Sequence, residues 1–130
     1  MRRVLDTLRA RFDRILIDAP CSGTGTLSRN PEIRWRIQQS DLRELHEKQV
    51  KILTGGLRHL RPGGRLVYST CSLEKIENET VVDQVLAEAG AGFQLLETRR
   101  RTPGLEPGDG FFAAVLERVE EALASRTEVA

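Results

Sequence analysis

Phe12-Asp13-Arg14-Ile15-Leu16-Ile17-Asp18-Ala19-Pro20-Cys21 is the stretch from which the fold is read. A short, β-branched apolar run that ends in Asp-Ala-Pro reads as a buried parallel strand whose carboxyl end opens into a loop. Arg65-Leu66-Val67-Tyr68-Ser69-Thr70-Cys71 repeats the arrangement further along. It predicts a second short strand, with Cys71 at its end as Cys21 lies just beyond the first.

Between the two runs, Leu42, Leu45, Gln49, Ile52, Leu53, Leu57 and Leu60 recur at helical spacing. Asp41 with Glu44 resembles a capping box at the start of that helix, and Arg61-Pro62-Gly63-Gly64 stops it. A second helix is expected from about Ile76 to Ala89, with Val81, Val82, Val85 and Leu86 as its buried stripe and Gly90 and Gly92 at its end. Phe93 to Thr98 and Phe111 to Val119 read as two further strands joined by a Pro- and Gly-rich loop. Upstream, Val4, Leu5 and Leu8 among charges suggest a short amphipathic helix or turn over residues 4–11, and the last residues, 119–130, read as a polar, frayed tail. The order strand, helix, strand, helix, strand, strand is that of an α/β layer structure. The right-handed crossover rule sets the first two strands side by side and parallel. Ligands in such sheets bind beyond the carboxyl ends of the strands, where Asp18, Pro20 and both cysteines fall.

The 130 residues and 39% hydrophobic content suit one domain with a modest core. Twenty basic against nineteen acidic residues leave any nucleic-acid contact to a local basic surface. No apolar run is long enough to span a bilayer and no leader-like stretch opens the chain, so no membrane is expected and a cytoplasmic location is the default. Two cysteines and two histidines are too few for a disulfide framework or a convincing zinc site, so no metal is expected. His46 and His59 lie in the predicted long helix without a partner at ligand spacing and are read as surface or core-edge residues.

The segment Cys21 to Gln39, rich in Gly, Ser, Thr, Asn and Pro, is expected to be irregular and partly exposed. Ser22-Gly23-Thr24-Gly25-Thr26 lacks the lysine of a phosphate-binding loop and the third glycine of a dinucleotide fingerprint, and reads as a flexible turn. Arg34, Trp35 and Arg36, and the run Arg99-Arg100-Arg101, are candidate RNA contacts, because arginine grips phosphate and tryptophan stacks on unpaired bases. A solvated face is the alternative for each cluster.

Two strings carry a resemblance. Asp18-Ala19-Pro20-Cys21-Ser22-Gly23-Thr24-Gly25 and Tyr68-Ser69-Thr70-Cys71-Ser72, the latter followed by Glu77-Asn78-Glu79, together resemble the Sun (Fmu) family of ribosomal RNA cytosine-C5 methyltransferases. Asn30-Pro31-Glu32-Ile33-Arg34-Trp35, Leu60-Arg61-Pro62-Gly63-Gly64 and Asp109-Gly110-Phe111-Phe112 extend it over roughly residues 12–118. The resemblance implies the C-terminal half of a Rossmann-like class I methyltransferase sheet, in which parallel strands are followed by a terminal antiparallel pair. Residues 1–118 would be that portion of the domain.

The implied activity is methyl transfer from S-adenosylmethionine to carbon 5 of a cytosine in RNA. That carbon is a poor nucleophile until a thiolate adds to carbon 6. By resemblance Cys71 is that thiolate, Cys21 helps release the product, and Asp18 lies near the cofactor and the cytosine edge. Pro20, without an amide proton, is expected to stiffen the loop that presents base-facing carbonyls, and Arg34 is a substrate contact on its chemistry. On residue chemistry alone, a free cysteine is more often a small buried apolar residue, and Asp18 could simply cap loop amides. A non-catalytic RNA-binding or assembly module remains the alternative from another class. A DNA cytosine methyltransferase, with Cys21 as nucleophile, is disfavoured by the retained Thr70-Cys71-Ser72. The glycine-rich cofactor turn that the family carries upstream of the first string is not found here, so the isolated chain is expected to bind S-adenosylmethionine weakly. A bared strand edge is expected to favour a homo-oligomer or pairing with a missing half.

Overall fold

A computed structural model describes residues 10–119, so the segments expected over residues 4–11 and 119–130 lie almost wholly outside the described residues. Four strands form one sheet: β1 (Phe12–Asp18), β2 (Leu60–Thr70), β3 (Phe93–Arg101) and β4 (Phe111–Arg118). Their order is β1-β2-β4-β3, with β1 parallel to β2, as the crossover rule predicts, and the other pairs antiparallel, the β3–β4 pair as the family resemblance implies. Three helices accompany them: the single turn α1 (Ile33–Arg36), the long α2 (Gln39–Arg58) and α3 (Glu79–Ala89).

The strict alternation of β2 and β4 decides which face is covered. Leu66, Tyr68 and Thr70 stand opposite Leu116, Ala114 and Phe112, and all six are buried. Against this face pack Leu53 and Leu57 of α2 and Val81, Val82 and Val85 of α3, which forms one continuous core. Burying each such side chain stabilises the fold by about 1.5–3 kcal/mol. The opposite face presents Arg14, Leu16, Arg65, Val67, Glu97 and Val115 in an open depression.

Several expectations need correction. Strand β1 is an edge strand rather than a buried one, because β2 pairs with it on one side alone, and Leu16 is 71% exposed. Helix α2 opens at Gln38, not Asp41. Gln38 and Asp41 exchange the reciprocal bonds of a capping box, with the Gln38 backbone N–H donating to Asp41 Oδ2 at 2.9 Å. The helix ends at Arg58, before the Arg-Pro-Gly-Gly segment expected to stop it. That segment forms a bulge in β2, between the pairs Phe12 with Leu60 and Arg14 with Arg65, and Gly63 takes a positive φ of 79° there. The second helix starts at Glu79 and not Ile76, because Lys75–Glu77 form a separate 3-10 turn and Asn78 breaks from helical geometry. Strand β3 runs on to Arg101, three residues beyond Thr98. Among the described residues, no helix is long and apolar enough to cross a membrane, and no cluster of metal-ligating side chains occurs.

Candidate active site at the carboxyl ends of β1 and β2

Parallel pairing of β1 with β2 brings Asp18 opposite Ser69, so the two following loops leave the sheet side by side. Cys21 Sγ and Cys71 Sγ lie 3.3 Å apart, within hydrogen-bond distance and not bonded to each other. Cys71 is exposed, while Cys21 is half-buried. Burial, and then the contact with Cys71, push the Cys21 thiol up to about 12. At neutral pH Cys21 therefore keeps its proton and can donate it to the Cys71 sulfur.

Beneath the thiols lies a buried polar network that the sequence reading did not anticipate. Glu77 is fully buried, and its carboxylate accepts from the Ser22 backbone N–H (2.7 Å), the Ser22 hydroxyl (2.6 Å), Gln49 Nε2 (3.2 Å) and the Ser72 hydroxyl. Ser22 and Ser72 each follow one of the cysteines. Thr70 Oγ1 donates to Asn78 Oδ1 at 2.6 Å, and Asn78 Nδ2 donates to the Ser72 carbonyl at 2.9 Å, which ties the Cys71 loop to the foot of α3. Tyr68 donates its phenol to the Glu77 carbonyl at 2.7 Å. Burial, then the Glu77 charge, push that phenol well above its ordinary range. The two Cys-Ser pairs at equivalent stations, with an acid just ahead of the next helix, were the available signal.

The glycine-rich stretch after Cys21 is packed rather than flexible, which corrects the reading of a loose turn. Gly25 N–H donates to the Cys71 carbonyl at 2.8 Å, and its own carbonyl accepts from Gly110 N–H at 2.7 Å. A β-carbon at residue 25 would fall 2.4 Å from the Gly110 carbonyl oxygen and 2.6 Å from that of Cys71, so no side chain fits. Thr24, Gly25 and Thr26 form a buried 3-10 turn, and α1 interrupts the segment expected to be irregular throughout.

The other candidate residues divide. Asp18 is exposed beside the thiol loops, and its carboxylate makes no hydrogen bond among the described residues. Pro20 is exposed too, and its carbonyl accepts from Gln49 Nε2 at 2.9 Å. On α1, Ile33 turns inward, and together with Arg36, Ile37 and Leu45 it lines a cavity of about 240 Å³ that reaches Cys21 and Ser22. Arg34 and Trp35 point outward, Trp35 83% exposed. Arg99, Arg100 and Arg101 pair with Glu97, Glu79 and Glu106. Arg100 and Arg101 also cover the rings of Phe112 and Phe111. His46 bridges the Ile76 carbonyl and Gln84, and His59 contacts the Ala10 carbonyl at 2.8 Å, so both act in packing.

Comparison with known proteins gives a consistent result. The sequence profile of the 16S rRNA methyltransferase RsmB/F family matches residues 1–117. Ribosomal RNA small subunit methyltransferase B of Klebsiella pneumoniae is 43% identical over 112 residues, which cover 82% of this chain and 26% of that protein. The tRNA (cytosine(34)-C(5))-methyltransferase of Drosophila melanogaster is 45% identical over 98 residues, 74% of this chain and 13% of that protein. Among solved structures, NSun6 from Pyrococcus horikoshii with SFG superimposes with a TM-score of 0.80 at 29% identity, over 93% of this chain and 34% of that one. A methyltransferase homolog protein from the same organism gives 0.74 at 32% identity, over 88% and 42%. The chain thus spans about a quarter of the length of the bacterial relative.

Proposed function

The chain belongs to the 16S rRNA methyltransferase RsmB/F family, and from that premise we propose that it supplies the thiol half of an active site that transfers a methyl group to carbon 5 of a cytosine in RNA, ribosomal RNA first. The observation that carries the reading is the pair of thiols at 3.3 Å, one exposed and one half-buried.

Cys71, exposed at the end of β2, gives up its proton to solvent and adds as a thiolate to carbon 6 of the base, and the ring becomes enamine-like at carbon 5. S-adenosylmethionine supplies the methyl group when bound. The exposed, unengaged carboxylate of Asp18 at the end of β1 fits a polar group of that cofactor or of the cytosine edge, as ligands of such sheets gather there. The carbon-5 proton must then leave before the bond from Cys71 to carbon 6 breaks. Cys21 enters this stage as a thiol. As a thiol it is not the base for the carbon-5 proton, which leaves to water; Cys21 then gives its own proton to the departing Cys71 sulfur as the ring regains its double bond, and it is reprotonated from solvent. Pro20, without an amide proton, stiffens the loop that presents Cys21. Arg34 and Trp35 project from α1 beside the cavity at Cys21, where RNA backbone and unpaired bases would be met. The relatives act on ribosomal RNA or tRNA by name, which supports RNA over DNA as substrate.

Because the relatives are several times longer, this activity is assigned to the longer polypeptide of which such a chain forms part. The open edge of β1, with Leu16 exposed, supports pairing with the rest of that polypeptide or, for the isolated chain, with a second copy. Sedimentation of the isolated chain then shows concentration-dependent dimers, and a monomer throughout contradicts the pairing. The functional reading is tested by supplying the upstream cofactor-binding portion and following labelled methyl transfer to RNA. Cys71→Ala abolishes transfer, and Cys21→Ala accumulates an RNA-protein adduct on natural cytosine. Transfer that survives Cys71→Ala would overturn the assignment.

A further inference from the structure

Glu77 takes no part in the steps above, yet it joins the two cysteine loops from below the thiols. Its buried carboxylate accepts four hydrogen bonds, and three of them come from the residues that immediately follow the two cysteines. A buried carboxylate is costly unless its lone pairs are met, and here they are met from both loops at once. Oε1 takes the Ser22 N–H and so fixes the peptide plane between Cys21 and Ser22. Oε2 takes both serine hydroxyls and so holds the loops edge to edge. The other ties between the loops are Gly25 N–H to the Cys71 carbonyl at 2.8 Å, Leu73 N–H to Thr24 Oγ1 at 2.9 Å, and two longer hydroxyl contacts of 3.4 Å, from Ser72 Oγ to Ser22 Oγ and to Thr24 Oγ1.

We propose that Glu77 is a positioning residue whose carboxylate, by gripping Ser22 and Ser72 together, sets the separation of Cys21 and Cys71. The inference rests on the reading of these cysteines as a working pair, and it concerns what keeps them paired. Aspartate, one methylene shorter, cannot span both serines from the same backbone. Glutamine keeps the length: its carbonyl can accept from Ser22 N–H and Gln49, and its amide can donate to the serine oxygens. The expected order of function is therefore glutamate, then glutamine, then aspartate and alanine.

A direct probe of the separation is phenylarsine oxide, whose arsenic condenses with two thiols, forming two As–S bonds and releasing one water. Both sulfurs must reach a single atom, so affinity reads their spacing without requiring turnover. The wild-type chain takes up one arsenical and loses both free thiols. Glu77→Asp, shown to be folded by circular dichroism, binds about tenfold more weakly, equivalent to about 1.4 kcal/mol, and Glu77→Gln recovers most of the loss. The Ser22→Ala, Ser72→Ala double variant removes the hydroxyl arms without touching the acid and weakens binding likewise, which keeps the test open if the Glu77 variants fail to fold. A merely structural role would lower the melting temperature but leave the affinity of the folded protein unchanged, and would not rank glutamine above aspartate. Wild-type affinity in the folded variants, or failure of the wild-type chain to take up one arsenical, would overturn the proposal. Tight arsenical binding together with absent methyl transfer would instead sink the functional reading and leave the positioning role standing.

Discussion

Glu77 and Glu79 are two residues apart and belong to different worlds. The first is fully buried between the cysteine loops and answers four donors. The second meets Arg100 at a half-exposed edge of the sheet, where the guanidinium also rests on Phe112. The difference teaches where polar chemistry shapes this molecule. Under the thiols, hydroxyls, amides and a carboxylate replace apolar packing and fix atoms to one another. Along β3, the arginines pair with acids at exposed or half-exposed positions, and each such pair is worth about 0–1 kcal/mol.

The contrast can be broken most easily at its strong end. Glu77→Ala takes from the Ser22 backbone N–H and from the Ser22 and Ser72 hydroxyls their buried carboxylate acceptor, and we expect it to lower the unfolding free energy by about 3 kcal/mol or more, read by urea denaturation. A loss under about 1 kcal/mol would mean that the network carries no more weight than a surface pair. Gly25→Ala comes next. The added carbon must displace the Gly110 and Cys71 carbonyls, so a loss of about 2 kcal/mol is expected in the same assay. Because it pushes on the Cys71 loop, it should also slow alkylation of Cys71. Arg100→Ala, at the weak end, should cost less than about 1 kcal/mol, with the Phe112 contact included.

Titration sharpens the same comparison. Cys21 is raised from an ordinary 9.0 to about 12 in the folded state, so the fold binds its proton more tightly than the unfolded chain does. The stability gained is fully present below about pH 9 and is lost as pH rises toward 12. Tyr68 is raised too and acts in the same sense. Denaturation midpoints measured from pH 8 upward should fall across that window in the wild type and fall less in Cys21→Ala.

How far the sequence could be read follows the same division. The valine stripe of α3 was legible because helical spacing reports burial directly, the parallel pair β1 and β2 because a strand, helix, strand order implies a right-handed crossover, and the antiparallel β3 and β4 through the family resemblance. The edge position of β1 was not, since an Ile-Leu-Ile run looks the same whether one or both sides are paired. The start of α2 was placed late because Gln38, a less familiar cap than serine or aspartate, performs the capping. At the site, Cys21 and Cys71 were found through their strings. Gln49, read as part of the apolar stripe, and Glu77, read as part of a motif, were missed as partners because they meet the cysteine loops only through tertiary contacts that no local spacing encodes.

The most direct measurement of the central claim, that Cys71 is the attacking thiol and Cys21 its proton-holding partner, is covalent trapping with RNA that contains 5-fluorocytosine, in the presence of S-adenosylmethionine and the upstream portion of the polypeptide. Fluorine cannot leave as a proton does, so the adduct persists on a denaturing gel and can be located by mass spectrometry. The account predicts a complex joined through Cys71, kept in Cys21→Ala and lost in Cys71→Ala. A complex joined through Cys21, or none with any variant, would contradict it.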